Sequence, residues 1–77
     1  MSRQISRAQY LQLVGLQALA EVNRKQLEKI QGVAGLILLG ENAEDKSGWI
    51  SDFVWAGDRS IEFVCEQLGV EIEKEAA

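Results

Sequence analysis

Residues 6–39 read SRAQYLQLVGLQALAEVNRKQLEKIQGVAGLILL, a stretch rich in good helix formers and without proline. Apolar or central residues recur in it at alternating steps of three and four, the spacing of a helical heptad. These positions are Leu13, Leu16, Ala20, Asn23, Leu27, Ile30, Ala34 and Ile37. The pattern predicts one long amphipathic helix over about 6–39, with a bend expected near Gly32 if it bends at all. A short buried strand over 33–39 is the alternative, because brief apolar runs fit both structures.

A second helix is predicted over about 49–68, after an acidic loop at 40–48. Its apolar positions again step by three and four. They are Ile50, Val54, Gly57, Ile61, Val64 and Leu68, flanked by Trp49, Phe53 and Phe63. Gly57 either lets two helices approach closely or breaks the segment, with Asp58 capping a separate piece. Gly69 is expected to end the helix as a C′ glycine, and the acidic tail 69–77 is expected to fray.

Chain length makes self-association the expected source of extra stability. The 77 residues form a single small domain, with 47% apolar residues, one cysteine and no histidine. A core of this size rarely supplies more than about 3–5 kcal/mol without disulfides, a metal or oligomerisation. One cysteine forms no disulfide within the chain, and the usual zinc ligand set is missing. The sequence therefore predicts an all-α fold, an antiparallel helical hairpin that pairs with a second copy to close a helix bundle.

The predicted interface between the copies follows the two apolar stripes. It comprises Leu13, Leu16, Ala20, Asn23, Leu27, Ile30, Trp49, Phe53, Gly57 and Ile61. Asn23 is the polar member, and a polar residue at such a position can fix the register and number of helices by pairing with its counterpart. The alternative is that helix rotation leaves Asn23 at the edge of the face, in water.

Enzymatic chemistry is not indicated by any group of residues. The 40–48 loop contains Lys46-Ser47, the pair that closes a phosphate-binding loop, but Asp45 replaces the required glycine. Its carboxylates also lack the order of a calcium-binding loop. Cys65 has no histidine to activate it and is expected to be a buried hydrophobic residue. Glu62 and Glu66, one turn apart, suit a solvated helix face, so we expect no catalytic residue, cofactor or metal.

Partner binding is the function that remains. Trp55 cannot share a helix face with Trp49, six positions away, so Trp55 is predicted to face a protein partner together with Asp58 and Glu62. We therefore expect a homo-oligomeric adaptor or inhibitor, of the kind that a phage or mobile element encodes against a host protein. The alternative is a small-ligand-binding oligomer that holds a nucleotide or another anion between subunits, near Gly57, Trp55 and the basic residues of the first helix.

Charge distribution bears on location and on other partners. Residues 1–40 carry five basic and two acidic residues, whereas residues 41–77 carry three basic and ten acidic residues. This asymmetry favours contact between the halves, or head-to-tail association of chains. The basic residues are scattered, which makes nucleic acid an unlikely partner. No signal peptide or membrane span is expected, so the chain is predicted to be cytoplasmic.

Overall fold

The computed structural model describes residues 3–40, 48–57 and 60–74, and these are mostly helical, as predicted. In chain order the elements are strand β1 (Arg3–Ile5), helix α1 (Arg7–Val22), a 3-10 turn (Arg24–Gln26), helix α2 (Leu27–Leu39), helix α3 (Trp49–Ser51) with a π-helical turn following it (Asp52–Ala56), helix α4 (Ile61–Leu68) and strand β2 (Val70–Ile72). Most of the predicted acidic loop lies outside the described residues.

Helix α1 begins at a capping box and ends much earlier than predicted. The Ser6 side chain accepts a hydrogen bond from the Gln9 backbone N–H at 3.1 Å, and the Gln9 side chain accepts one from the Ser6 N–H at 2.9 Å. The helix stops at Val22, because Asn23 leaves helical geometry with φ −132°. A continuous helix over 6–39 is therefore wrong. Asparagine favours helix ends over helix interiors, and Asn23 ends α1 here.

Helix α2 runs through the two glycines that could have interrupted it. Gly32 and Gly35 both lie inside the helix, which ends only before Gly40 at φ +87°. The helix is thus interrupted at Asn23 and not at Gly32, where a bend was expected. Residues 33–39 are helix rather than strand. The break at Asn23 turns the chain back, so that α1 and α2 pack as an antiparallel pair within the first half of the chain.

The second predicted helix is also divided, at Gly57. Gly57 adopts a left-handed conformation at φ +66°, and its N–H donates to the Asp52 carbonyl at 3.1 Å. Helix α4 starts afresh with Ser60 as its N-cap, whose hydroxyl accepts from the Phe63 N–H at 3.1 Å. One helix over 49–68 is therefore wrong, and the alternative of a break at Gly57 is confirmed. Asp58 lies outside the described residues.

The end of the described chain is ordered by a strand pair. Gly69 ends α4 at φ +72°, as predicted, with its N–H directed at the carbonyls of Cys65 and Glu66. Strand β2 then pairs in parallel with β1, in the register Arg3↔Val70, Gln4↔Glu71 and Ile5↔Ile72. The prediction that the tail frays is thus wrong for Val70–Ile72. Burial of Ile5 and Val70 in the core explains why this short pair forms.

The core draws on every major element. The π-helical turn contacts both α1 and α2, α3 contacts α2, and α4 contacts α1 and α3. The buried residues are Ile5, Leu13, Ala20, Leu27, Ile30, Ala34, Leu38, Ile50, Phe53, Val54, Ile61, Val64, Cys65 and Val70. Among the described helices, none is both long and apolar enough to cross a membrane.

Candidate interaction surface

The residues predicted to join two copies lie largely inside one chain. Six of them are buried in the chain's own core: Leu13, Ala20, Leu27, Ile30, Phe53 and Ile61. Asn23 and Gly57 are helix ends, and Trp49 is half-buried with its ring edge-to-face on Phe63, the centroids 5.4 Å apart. The apolar stripes thus pack against each other in one chain.

An open groove of about 480 Å³ runs between α1 and α2, on the side away from the core. We call it the hairpin groove. It is lined by Gln9, Gln12, Gly15, Leu16, Leu19, Val33, Leu36 and Ile37. None of these lining residues, all within the described part of the chain, is charged, although 26% of the whole chain is. Leu16 is the predicted interface residue that lines it. Leu19, Val33 and Leu36 remain 43%, 45% and 54% exposed there, which is unusual for neighbouring aliphatic side chains in a monomer.

The apolar surface continues from the groove over the outer side of α1. At 100° per residue, Leu11 and Val22 lie on the helix face next to Gly15 and Leu19. Val22 is 83% exposed. Arg7 and Glu21 are the charged residues of this 16-residue helix, and they lie about 80° and 120° from Gly15 around its axis, at the border of this face and beyond it. A helix that faces water normally places charged residues outward, so the outer face of α1 resembles one that is covered.

Three helical glycines make no close contact inside the described chain, and Gly15 is the one that lines the groove. A Cβ added at Gly15, Gly32 or Gly35 would meet no atom within 4 Å. None of the three has a positive φ, so alanine would fit their backbone. Each nevertheless costs the helix about 1 kcal/mol relative to alanine. Packing within the described structure does not explain them.

Trp55 belongs to a polar network that fastens the π-helical turn to α2. Its indole N–H donates to the Gln31 side chain at 2.6 Å, and Gln31 in turn donates to the Ser51 hydroxyl at 2.8 Å. The Arg24 guanidinium donates to the Trp55 carbonyl at 2.7 Å. The residue stays 44% exposed, so Trp55 is held in place with part of its surface accessible. Sequence reasoning identified the residue but not the network that positions it.

Glu62, the other predicted partner-binding residue that the structure describes, is tied to α1. The Tyr10 hydroxyl donates to the Glu62 carboxylate, and this bond lowers the pKa of Glu62 and raises that of Tyr10. The Arg7 guanidinium lies over the Tyr10 ring, 4.6 Å from its centroid. Glu62 therefore stays ionised at neutral pH and helps to position α4 on α1.

A second open groove, of about 390 Å³, lies between α4 and β2. We call it the acidic groove. It is lined by Glu62, Cys65, Glu66, Gly69, Val70, Glu71 and Ile72. Cys65 is buried as predicted, and desolvation, with a smaller contribution from Glu62, raises the pKa of its thiol to about 11. Such a thiol is protonated at neutral pH and is a poor nucleophile. The described residues contain no group of three acidic or cysteine side chains placed to hold a metal ion.

Comparison with protein families, with curated proteins and with solved structures finds no match for this chain.

Proposed function

We propose that this chain is a non-enzymatic protein-interaction module that self-associates through the hairpin groove, with two α1–α2 pairs forming a four-helix bundle. The observation that carries the proposal is an uncharged groove with half-exposed Leu19, Val33 and Leu36. Burying an aliphatic side chain from full exposure contributes about 1.5–3 kcal/mol, so half-exposed residues on two copies leave a substantial driving force.

A second copy suits this surface better than an unrelated partner does. In a two-fold interface, residues near the axis meet their own counterparts, so a charged side chain there would face the same charge. The groove walls carry none. Lys29 adjoins the groove only at the end near Asn23 and Gln26, beyond the shared Leu19 and Val33. The groove is thus compatible with its own copy along its central part.

Gly15 supports close packing by a second helix. It lines the groove, and open space surrounds its missing side chain. A helix from another copy can approach a glycine more closely than it can approach any larger residue. This explains why α1 retains a residue that weakens it as an isolated helix.

The test compares two substitutions at matched exposure on opposite sides of α1. Leu19→Glu introduces a charge into the groove, whereas Val14→Glu introduces the same charge at a residue 42% exposed and about 140° away. We expect light scattering over a wide concentration range to show a dimer for the native chain and Val14→Glu, and a monomer for Leu19→Glu. Circular dichroism checks that both variants keep their helix content. A native chain that stays monomeric at high concentration, or equal dimerisation of the two variants, contradicts the proposal.

A role as adaptor or inhibitor of another protein belongs to the same proposal, with Trp55 as the contact. Its accessible ring is held by Gln31 and Arg24, and a rigid tryptophan is a common centre of a binding surface. We expect Trp55→Phe to keep the dimer, since Trp55 does not line the hairpin groove. A nucleotide or anion ligand is not favoured in that groove, because its walls offer no positive charge.

A further inference from the structure

We propose that the acidic groove binds an extended peptide segment with basic residues at alternate positions, which adds to the free edge of β2 as a third strand. This surface is distinct from the hairpin groove and does not depend on self-association. Three features support the proposal: the open strand edge, the apolar floor and the carboxylates of α4.

The strand edge is the first feature. The described sheet has two strands, so β2 has β1 on one side and no strand on the other. Consecutive residues of β2, Val70 to Ile72, all line the groove. Because side chains alternate between the two faces of a strand, a groove lined by consecutive residues runs along the edge rather than over one face. An accessible edge offers backbone hydrogen bonds to an added strand.

Each strand of the pair has a helix beside it. The Arg3 guanidinium donates to the Ile37 carbonyl at the end of α2, 3.2 Å away, and β1 contacts α2, whereas β2 contacts α4. The acidic groove lies between β2 and α4, so this groove is where a third strand would add.

Charge and spacing define the partner. Glu62, Glu66 and Glu71 line the groove, and no basic residue does so among the described lining residues. Glu62 and Glu66 are four residues apart on α4, a rise of about 6 Å along the axis. Alternate residues of an extended chain are about 6.6 Å apart, so two basic side chains at positions i and i+2 match these two carboxylates. Cys65 and Val70 form an apolar floor, which accepts the aliphatic parts of such side chains.

The experiment uses an end-capped, fluorescently labelled hexapeptide of alternating lysine and valine, and anisotropy as the readout. Two further peptides separate strand addition from charge attraction. One has the same composition with lysines and valines in separate blocks, and the other is N-methylated at alternate residues on the edge facing β2. We expect saturable binding of the alternating peptide and at least tenfold weaker binding of both others.

Substitutions on the protein locate the site. Glu66→Gln and Glu71→Gln should each weaken binding about two- to fivefold at low salt, the range expected for an exposed ion pair. Glu28→Gln removes the same charge from an exposed position on α2 and should leave binding unchanged. Equal binding of all three peptides, or equal effects of the three substitutions, would show general charge attraction and overturn the proposal.

Discussion

Replacing Gly15 by alanine should stabilise the isolated chain while weakening its dimer. Gly15 lies in the interior of α1, lacks a positive φ, and has no atom within 4 Å of an added Cβ. The methyl group therefore brings the full helix-propensity gain, about 1 kcal/mol in the free energy of unfolding. For a domain of this size, that gain corresponds to a rise in Tm of about 4–8 °C.

The same methyl group has the opposite effect if a second helix packs on the groove. Overpacking a close contact costs about 1–3 kcal/mol, which weakens dimerisation between about fivefold and over a hundredfold. The assay is urea denaturation at protein concentrations below and above the dimer Kd, together with light scattering. Glu21→Ala is the control, since it also improves helix propensity but lies about 120° from Gly15 around the axis of α1.

The change in dimerisation and the change in stability test different parts of the proposal. If Gly15→Ala is more stable and dimerises as tightly as the native chain, no helix approaches Gly15, and the proposed packing is wrong. If the variant is not stabilised at low concentration, the space around Gly15 is not open. Both outcomes are readable from one set of measurements.

Three further predictions concern single residues. Gly69→Ala should lower the free energy of unfolding by about 1–2 kcal/mol in urea, because φ is +72° there. Cys65 should react slowly with iodoacetamide at pH 8 in the folded chain and quickly in urea. Because its folded pKa is raised, Cys65 contributes stability below its ordinary value of 9.0 that is lost as the pH rises to about 11. That part of the pH dependence should disappear in Cys65→Ala. Tyr10→Phe should raise the pKa of Glu62 in an NMR titration, so that the stability lost on acidification through this carboxyl becomes smaller.

The apolar periodicity correctly predicted several buried residues, but it did not predict which part of the protein covers them. Leu13, Ala20 and Leu27 are buried, as a heptad pattern implies, but they pack within one chain rather than between copies. A periodic pattern reports a face, and the same face can be covered by another copy or by a later segment of its own chain. In this structure the apolar face is covered by the same chain, because the breaks at Asn23 and Gly57 let short helices fold back over it.

Single-residue signals were informative where the chemistry is local. The C′ glycine at Gly69 was predictable because few residues tolerate a left-handed backbone. The strand pair was not, since three residues are too few for a periodicity and their partners are far away in the chain. The hairpin groove was also missed. Its signal is present in the sequence as the uncharged stripe of Leu11, Gly15, Leu19 and Val22 on α1, which lies beside the heptad positions.

Parallel pairing of β1 with β2 has a mechanical consequence. Arg3 lies beside Val70 and Ile5 beside Ile72, so the incoming end of β1 and the outgoing end of β2 are at opposite ends of the pair. A pull on the chain through these two ends moves the strands past each other along their length. The bonds between them, including that from the Glu73 N–H to the Ile5 carbonyl at 2.9 Å, are then loaded together in shear rather than opened one by one. The two three-residue strands thus resist stretching together, because all the hydrogen bonds between them must break at once.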